Sequence, residues 1–511
     1  MQGKDYLRIG RAKDLKNLKD RIIYRLFEIM PGFMFWSALI LVILLSKFSP
    51  LIISIFIIVF VIFWFFRTVY FSFHLWSGYK KMARHENIDW MEKLKKIDNW
   101  QNIYHLIVIP MYEESLEVVR DNFLNILKSD YPKDKMMVVL ACEEKARAKV
   151  HNTALEIEKE FGSKFFKFLI TWHPQGLTNE IPGKGSNETW AAKESKKKIV
   201  DSCNIALENI VFSSFDVDTC IYPKYFSCLT YHYLTAENPS RTSFQPVPLF
   251  VNNMWQAPVF SKIFSFSSTF WHAINQERSE KLVTFSSHSM SFKTLCDIGF
   301  KQTNVVSDDS RIFWQCFLFY DGDYSVKPLY YPISMDANVS TNIFKTLINI
   351  YKQQRRWAYG VADIPYFLFA FLKNKRIPFK KKLSLSVELI EGHFSWAAAP
   401  IMIFLLGWLP LVLGGGEFSE TIMSYNLPKI ISRVMTLAMM GLVSSIYLSF
   451  VLLPPKPPEY GRWRYVVFAL SWMFFPFMMI FFGSFPAIDA QTRLMLGRYM
   501  GFWVTEKFRK N

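Results

Sequence analysis

Two long apolar runs stand near the start of the chain, Ile29 to Ser46 and Phe48 to Phe66, with Lys47 and a turn near Pro50 between them. Each approaches the roughly 20 residues that cross a bilayer core, so together they predict a transmembrane hairpin returning the chain to its starting side. The preceding stretch, LKNLKDRIIYRLFEIM at 15–30, predicts an amphipathic surface helix. From residue 79 to about 350 no comparable run occurs. Short β-rich segments there alternate with helical ones: HLIVIP, EESLEVVRDNFLNILKS, MMVVLAC, ARAKVHNTALEIEKEF and FKFLITW. This alternation predicts an α/β domain with a mostly parallel sheet, its ligands at the carboxyl ends of the strands. Three apolar runs follow residue 390: Phe394 to Gly416, Val434 to Pro455, and Tyr465 to Ile488, the last interrupted by Pro476. PPKPPEYG at 454–461 is a stiff connecting turn.

Composition agrees with a membrane part: 51% of residues are hydrophobic and 17% aromatic. A net charge of +17 points to a polyanion or an anionic membrane face. Nucleic acid is not expected as a partner, because no zinc-finger spacing, ribonucleoprotein motif or arginine-rich arm is visible. Basic residues gather beside the apolar runs on the flanks of the middle domain: Arg67, Lys80, Lys81, Lys380, Lys381 and Lys382. The positive-inside rule then puts the α/β domain in the cytoplasm of a multi-pass protein, in the plasma (inner) membrane. Six scattered cysteines without a CxxC pair suit a reducing cytosol. No cleaved signal peptide is expected. Three later crossings would leave the C-terminus outside, yet the tail carries Arg493, Arg498, Lys507, Arg509 and Lys510. The expectation is therefore a cytoplasmic C-terminus with an even number of true crossings. The Tyr465–Ile488 run is broken by Pro476, and hydropathy does not tell a crossing there from a re-entrant or surface segment; residues 489–501 are expected to form an interfacial helix.

Several short motifs could carry chemistry. FSSFDVDTCIYP ends an apolar strand with Asp216 and Asp218, whose spacing lets two carboxylates converge on one hard cation that steadies a diphosphate. A strand-end turn with solvated carboxylates is the plain alternative. TNVVSDDSRIFWQ places Asp308 and Asp309 at a helix start. They serve either as a first turn capped by Ser307 or as a general base, since adjacent carboxylates raise one another's pKa. IPGKGSNETW offers Lys184 in a Gly-rich turn before a helix; this is no nucleotide P-loop, but it can hold a phosphate or simply cap the helix. Glu113, Glu114, Glu143 and Glu144 follow successive strands, where a ribose or base is gripped or where charges are simply solvated. Gln353, Gln354, Arg355, Arg356 and Trp357 precede an apolar run, as a membrane-interface helix end does.

The order of these motifs is more informative than any one of them. Pro110-Met-Tyr-Glu-Glu114, Glu143, Lys184-Gly-Ser-Asn187, Asp216-Val-Asp218, Ser307-Asp-Asp309 and Gln353-Gln-Arg-Arg-Trp357 run in sequence over about residues 104 to 360. This series resembles the membrane-embedded, inverting family-two glycosyltransferases, the group of cellulose, chitin and hyaluronan synthases. Their series reads P-x-Y-N-E, an acidic strand end, K-A-G-N, D-x-D, T-E-D and Q-x-x-R-W. FWVTEK at 502–507 further resembles the F-x-V-T-x-K gating loop of cellulose synthases.

The resemblance implies a GT-A, nucleotide-sugar-binding α/β fold set between transmembrane regions. It implies Asp309, beside Asp308, as base; Arg356 as counter-charge to the leaving diphosphate; and Trp357 and Gln353 as acceptor contacts. Tyr112, Glu114, Glu143, Lys184, Asn187, Asp216, Arg355, Thr505 and Lys507 would hold the nucleotide sugar, and Asp216 and Asp218 would bind Mg²⁺ or Mn²⁺. Glu113 stands where Asn is usual, Glu143 where an Asp contacts uracil, and Ser307-Asp308 where Thr-Glu is usual, so the identity of the nucleotide stays open. The expected divisions are 1–78, amphipathic helix and hairpin; 79–360, GT-A domain; 361–393, interfacial helices; 394–488, C-terminal transmembrane region; and 489–511, interfacial helix and tail. The expected activity is inverting transfer of a sugar to a growing polysaccharide, coupled to export. The alternatives are addition of one sugar to a lipid-linked acceptor, or an inactive membrane scaffold or transporter.

Overall fold

The computed structural model describes residues 5–505. Its centre is one eight-stranded mixed sheet in the order β3-β2-β1-β4-β7-β6-β8-β5. The first four in space are β3 (Lys167–His173), β2 (Met136–Glu143), β1 (Tyr104–Met111) and β4 (Ile210–Ser214), all parallel. Then come β7 (Ser289–Ser291), antiparallel to both neighbours, β6 (Thr242–Leu249), β8 (Ser325–Ser334) and β5 (Cys220–Ile221). The central parallel strands β1 and β2 are almost wholly apolar because helices cover both faces. In β1, Leu106 and Val108 enter one core while Ile107 and Ile109 enter the other. Parallel pairing also aligns the strand ends: Met111 is opposite Cys142, and Glu143 is opposite His173. Polar residues immediately after the apolar runs therefore collect along one edge.

The expected hairpin is present, but its helices are longer than the apolar runs. One continuous helix, Leu18–Phe48, replaces the separate surface helix and first span. The second, Pro50–Asn87, runs past the expected boundary at residue 78, so its last turns belong to the α/β domain. There Lys81 pairs with Glu277 at 2.9 Å. Among the described residues, four helices are long and apolar enough to cross a membrane: Leu18–Phe48, Pro50–Asn87, Ile422–Val451 and Trp463–Met495. A fifth candidate is the pair Phe379–Phe404 and Leu406–Leu413, bent by 48°.

Trp463–Met495 differs from the others in where its ends lie. At its start, Arg464 donates to the Trp255 carbonyl at 3.3 Å. Along it, Phe468 and Trp472 pack on Phe266 and Phe270 of the α/β-domain helix Val259–Gln276. Near its end, Asp489 pairs with Arg355 at 2.8 Å. On the second hairpin helix its core partners are Leu75 and Met82, both beyond Phe66. The expected interfacial helix at 489–501 is shorter and earlier, Phe485–Met495, and the chain leaves helical geometry before residue 498.

Candidate active site

The polar edge of the sheet opens into a cavity of about 2290 Å³. Its wall begins at the strand ends with Tyr112, Glu143 and Asp216, continues past Asp309 to Trp357, and ends among the long helices at Thr68, Val434 and Met479. One space thus joins the sheet edge to the helical bundle.

Lys184 occupies the middle of the site. Gly183 precedes the helix Lys184–Ser195, and Lys184 is its first residue. The Lys184 Nζ lies 2.7 Å from Asp216 Oδ1 and donates to both oxygens of Asp309 at 3.0 and 3.2 Å. Burial opposes its charge, but Asp216 and Asp309 outweigh that and hold the ammonium well above the usual lysine range. Asp308 and Asp309 begin the helix Asp308–Phe319, whose N-terminus favours negative charge. Ser307 does not cap it: its Oγ is buried without a protein partner. The two helix starts approach closely because residue 185 is glycine; a Cβ there would lie 2.6 Å from Asp308 Cβ.

The expectation that the two aspartates raise one another's pKa holds for only one of them. Burial and the charge of Asp309 push Asp308 up. Burial would also raise Asp309, but Lys184 and Lys301 outweigh it and bring this carboxyl below its usual range. Of the pair, Asp309 is the one held toward its charged form, by Lys184 and Lys301, and at 23% exposure it faces the cavity.

Asp216 and Asp218 follow β4. Asp218 is fully buried and accepts from the backbone N–H of Asp336 at 2.9 Å. Among the described residues, no group of three or more His, Cys, Asp or Glu is arranged to hold a metal. Two hard carboxylates at one cavity wall still fit a cation whose remaining ligands are phosphate oxygens and water, the usual arrangement for Mg²⁺.

Asn187 ties its helix to the sheet by donating to the Ala141 carbonyl at 2.7 Å, leaving its buried Oδ1 without a protein partner. Glu114 accepts from the Tyr112 N–H at 2.7 Å, while Glu113, also at the cavity wall, pairs with Lys149 at 2.9 Å. Glu143 and Glu180 each lie 3.0 Å from one ring nitrogen of His173. Burial works against a charged imidazole there, but the two glutamates overcome it and raise His173 above its usual range.

Gln353, Arg355, Arg356 and Trp357 lie on the helix Ile343–Ala358. Gln353 accepts from Asn338 at 3.2 Å and lines the cavity with Arg356 and Trp357. The Trp357 ring is 6.3 Å from that of Phe250. Arg355 departs from the reading as a nucleotide-sugar contact: it does not line the cavity and is engaged by Asp489. The chain end returns to this helix. Phe502 lies under the Arg356 guanidinium at 4.9 Å, in space left open by Gly183, where a Cβ would come within 2.5 Å of the ring. Thr505 lines the cavity with its Oγ1 buried and without a protein partner. Lys507 lies outside the described residues.

Sequence reading missed Glu188, Lys301, Ser214, His173 and Glu180. Glu188 could have been found, since it sits four residues after Lys184 on one helix face. Nothing local marks Lys301.

No family model and no curated protein matches the sequence. Solved structures do match. A mannosyltransferase of Pyrobaculum calidifontis, in complex with GDP-mannose and Mn²⁺, aligns with 74% of this chain and 99% of its own at 13% identity and a TM-score of 0.39. S. aureus TarS residues 1–349, in complex with UDP-GlcNAc, aligns with 78% of this chain and 93% of its own at 12% identity and a TM-score of 0.37. GalNAc-T7 with UDP, GalNAc and Mn²⁺ aligns with 57% of this chain and 58% of its own at 9% identity and a TM-score of 0.32. The structural neighbours are thus glycosyltransferases, but a likeness at these scores carries no argument about mechanism or substrate.

Proposed function

We propose that this chain is a membrane glycosyltransferase that transfers a sugar from a nucleotide diphosphate donor to a polysaccharide, inverting the anomeric centre. The carrying observation is the contact of Lys184 with both Asp216 and Asp309, at the midpoint of a cavity running from the strand ends to the long helices. In this reading the base of the nucleotide lies near Glu143 and Tyr112, and its diphosphate near Lys184 and Arg356. Asp216 and Asp218 hold Mg²⁺ or Mn²⁺, which when bound offsets the charge of the diphosphate. The acceptor sugar stacks on Trp357 with a hydroxyl at Asp309, which takes its proton. Gln353 hydrogen-bonds the substrate, and Asn187 offers its Oδ1 to the donor. Phe502 and Thr505 cover the phosphates from the tail.

A second reading has one observation in its favour. Leu383, Val387 and Met439 line the cavity and are also more than half exposed, so the cavity reaches the side of the bundle. A lipid-linked acceptor could enter there and receive a single sugar. The test is a screen of nucleotide sugars with the purified protein in lipid, following nucleotide diphosphate release and the length of labelled product. We expect release that requires a divalent cation, and a product that lengthens with time. One sugar on a lipid favours the second reading. No turnover with any donor overturns both, and full turnover in excess chelator removes the metal assignment.

A further inference from the structure

Behind the proposed base lies a second lysine that does not line the cavity. Lys301 is 2% exposed at its side chain, and its Nζ lies 2.5 Å from Glu188 Oε2. The same atom is 3.1 Å from Ser214 Oγ, 3.8 Å from Asp308 Oδ2 and 3.9 Å from Asp309 Oδ1. Ser214 in turn donates to Glu188 Oε1 at 2.6 Å, and Thr189 donates to the Lys301 carbonyl at 3.2 Å. One buried pair therefore touches the helix that carries Lys184, the strand that ends before Asp216, and the helix that begins with Asp308. Such a pair is poorly explained by stability alone, because desolvating two charges offsets most of their attraction.

We propose that Lys301, paired with Glu188, is a positioning residue for Asp309, keeping that carboxylate ionised and at a fixed separation from Asp216. The proposal rests on the transferase reading above. Lys184 cannot fill this role during turnover. It lines the cavity and is shared between Asp216 and Asp309, so an entering diphosphate competes for it. As Lys184 turns to the phosphates, Asp309 keeps Lys301 as its cation from a side that neither donor nor acceptor can reach. The step it serves is balanced. The acceptor hydroxyl proton moves to the Asp309 carboxylate, the hydroxyl oxygen forms the bond to the anomeric carbon, and the bond from that carbon to the diphosphate breaks with its electron pair on the leaving group. An Asp309 that was already protonated could not begin it.

The test uses the full-length protein in lipid with UDP-GlcNAc, UDP-glucose and GDP-mannose as donors. It compares Lys301→Met, Lys301→Arg and the double variant Lys301→Met with Glu188→Gln. Lys301→Met alone leaves Glu188 buried and uncompensated, so Tm and kcat should both fall. The double variant removes both charges, so Tm should recover while kcat stays at least about tenfold below the parent, within the range of general-base effects. Donor KM should change less than about threefold, while Lys301→Arg keeps most of kcat. A double variant that regains parental kcat together with Tm would show a merely structural pair and overturn the proposal. So would a rise in donor KM with kcat unchanged. A parent protein with no turnover on any donor of the nucleotide-sugar screen would sink the transferase reading itself, which separates that failure from this one.

Discussion

At the scale of single residues, the charge of the site is set by contacts remote in sequence. Two adjacent aspartates are legible as an acid–base candidate, but which one is ionised is not. That choice is made by Lys184 and Lys301, and the Lys301–Glu188 contact spans 113 positions. A reader of the sequence sees a lone lysine in FKQTN and has no reason to connect it with a glutamate several helices and strands earlier. The same limit applies to Arg355 and Arg356. They are neighbours of identical chemistry, and only packing turns one to Asp489 and the other to the cavity. With Asp309 as base, Asp309→Asn should lower turnover by about 10²–10⁴-fold. Donor binding should be largely kept, because the substituted amide can still accept from Lys184. A variant that turns over normally, while Asp308→Asn is dead, would exchange the two roles.

At the scale of elements, the sequence announces the sheet well, because fully buried parallel strands read as unbroken apolar runs. HLIVIP and MMVVLAC fall within β1 and β2. The bent and over-long helices are harder to read, since hydropathy reports apolarity and not direction or partner. The approach of the two active helices was also hidden, although its cause is visible afterwards in PGKGS. Gly185 is present because Asp308 leaves no room for a side chain, so Gly185→Ala should force the two helix starts apart. Overpacking of this kind typically costs about 1–3 kcal/mol. The larger expected effect is on transfer, since Lys184 would no longer reach both Asp216 and Asp309. Gly162→Ala is a fair control, because a Cβ there meets its nearest neighbour at an ordinary 3.6 Å. We expect that control to keep Tm and turnover while Gly185→Ala loses turnover. Equal behaviour of the two would mean that the helix approach does not matter.

At the scale of the whole molecule, the question is how a tail that touches the site can follow so many apolar helices. The register of the bundle gives an answer. Ile422–Val451 runs parallel to Pro50–Asn87: Gly441 lies against Thr68, and Tyr447 meets Trp76 edge to face. It therefore ends on the same side as the α/β domain, where the Pro454 carbonyl accepts from Trp255 at 3.0 Å. Trp463–Met495 starts on that side and also finishes there, at Arg355. Long and apolar enough to cross, it packs along the Val259–Gln276 helix, with Val466, Leu470, Met473, Phe477 and Phe481 exposed on its outer side. A stripe of this kind suits the boundary between headgroups and acyl chains. We propose that the bent pair supplies a crossing that Ile422–Val451 reverses, which would give an even number of crossings and a C-terminus on the domain side. Cysteine labelling in sealed cells tests this, with the six native cysteines, all free and all in the α/β domain, as the internal reference. An impermeant reagent should label Glu417→Cys from outside, but Glu459→Cys and Asn511→Cys only after permeabilisation. If Asn511→Cys is labelled from outside while Glu459→Cys is protected, the segment crosses after all. The tail could not then close over the phosphates, whatever the chemistry of Asp309.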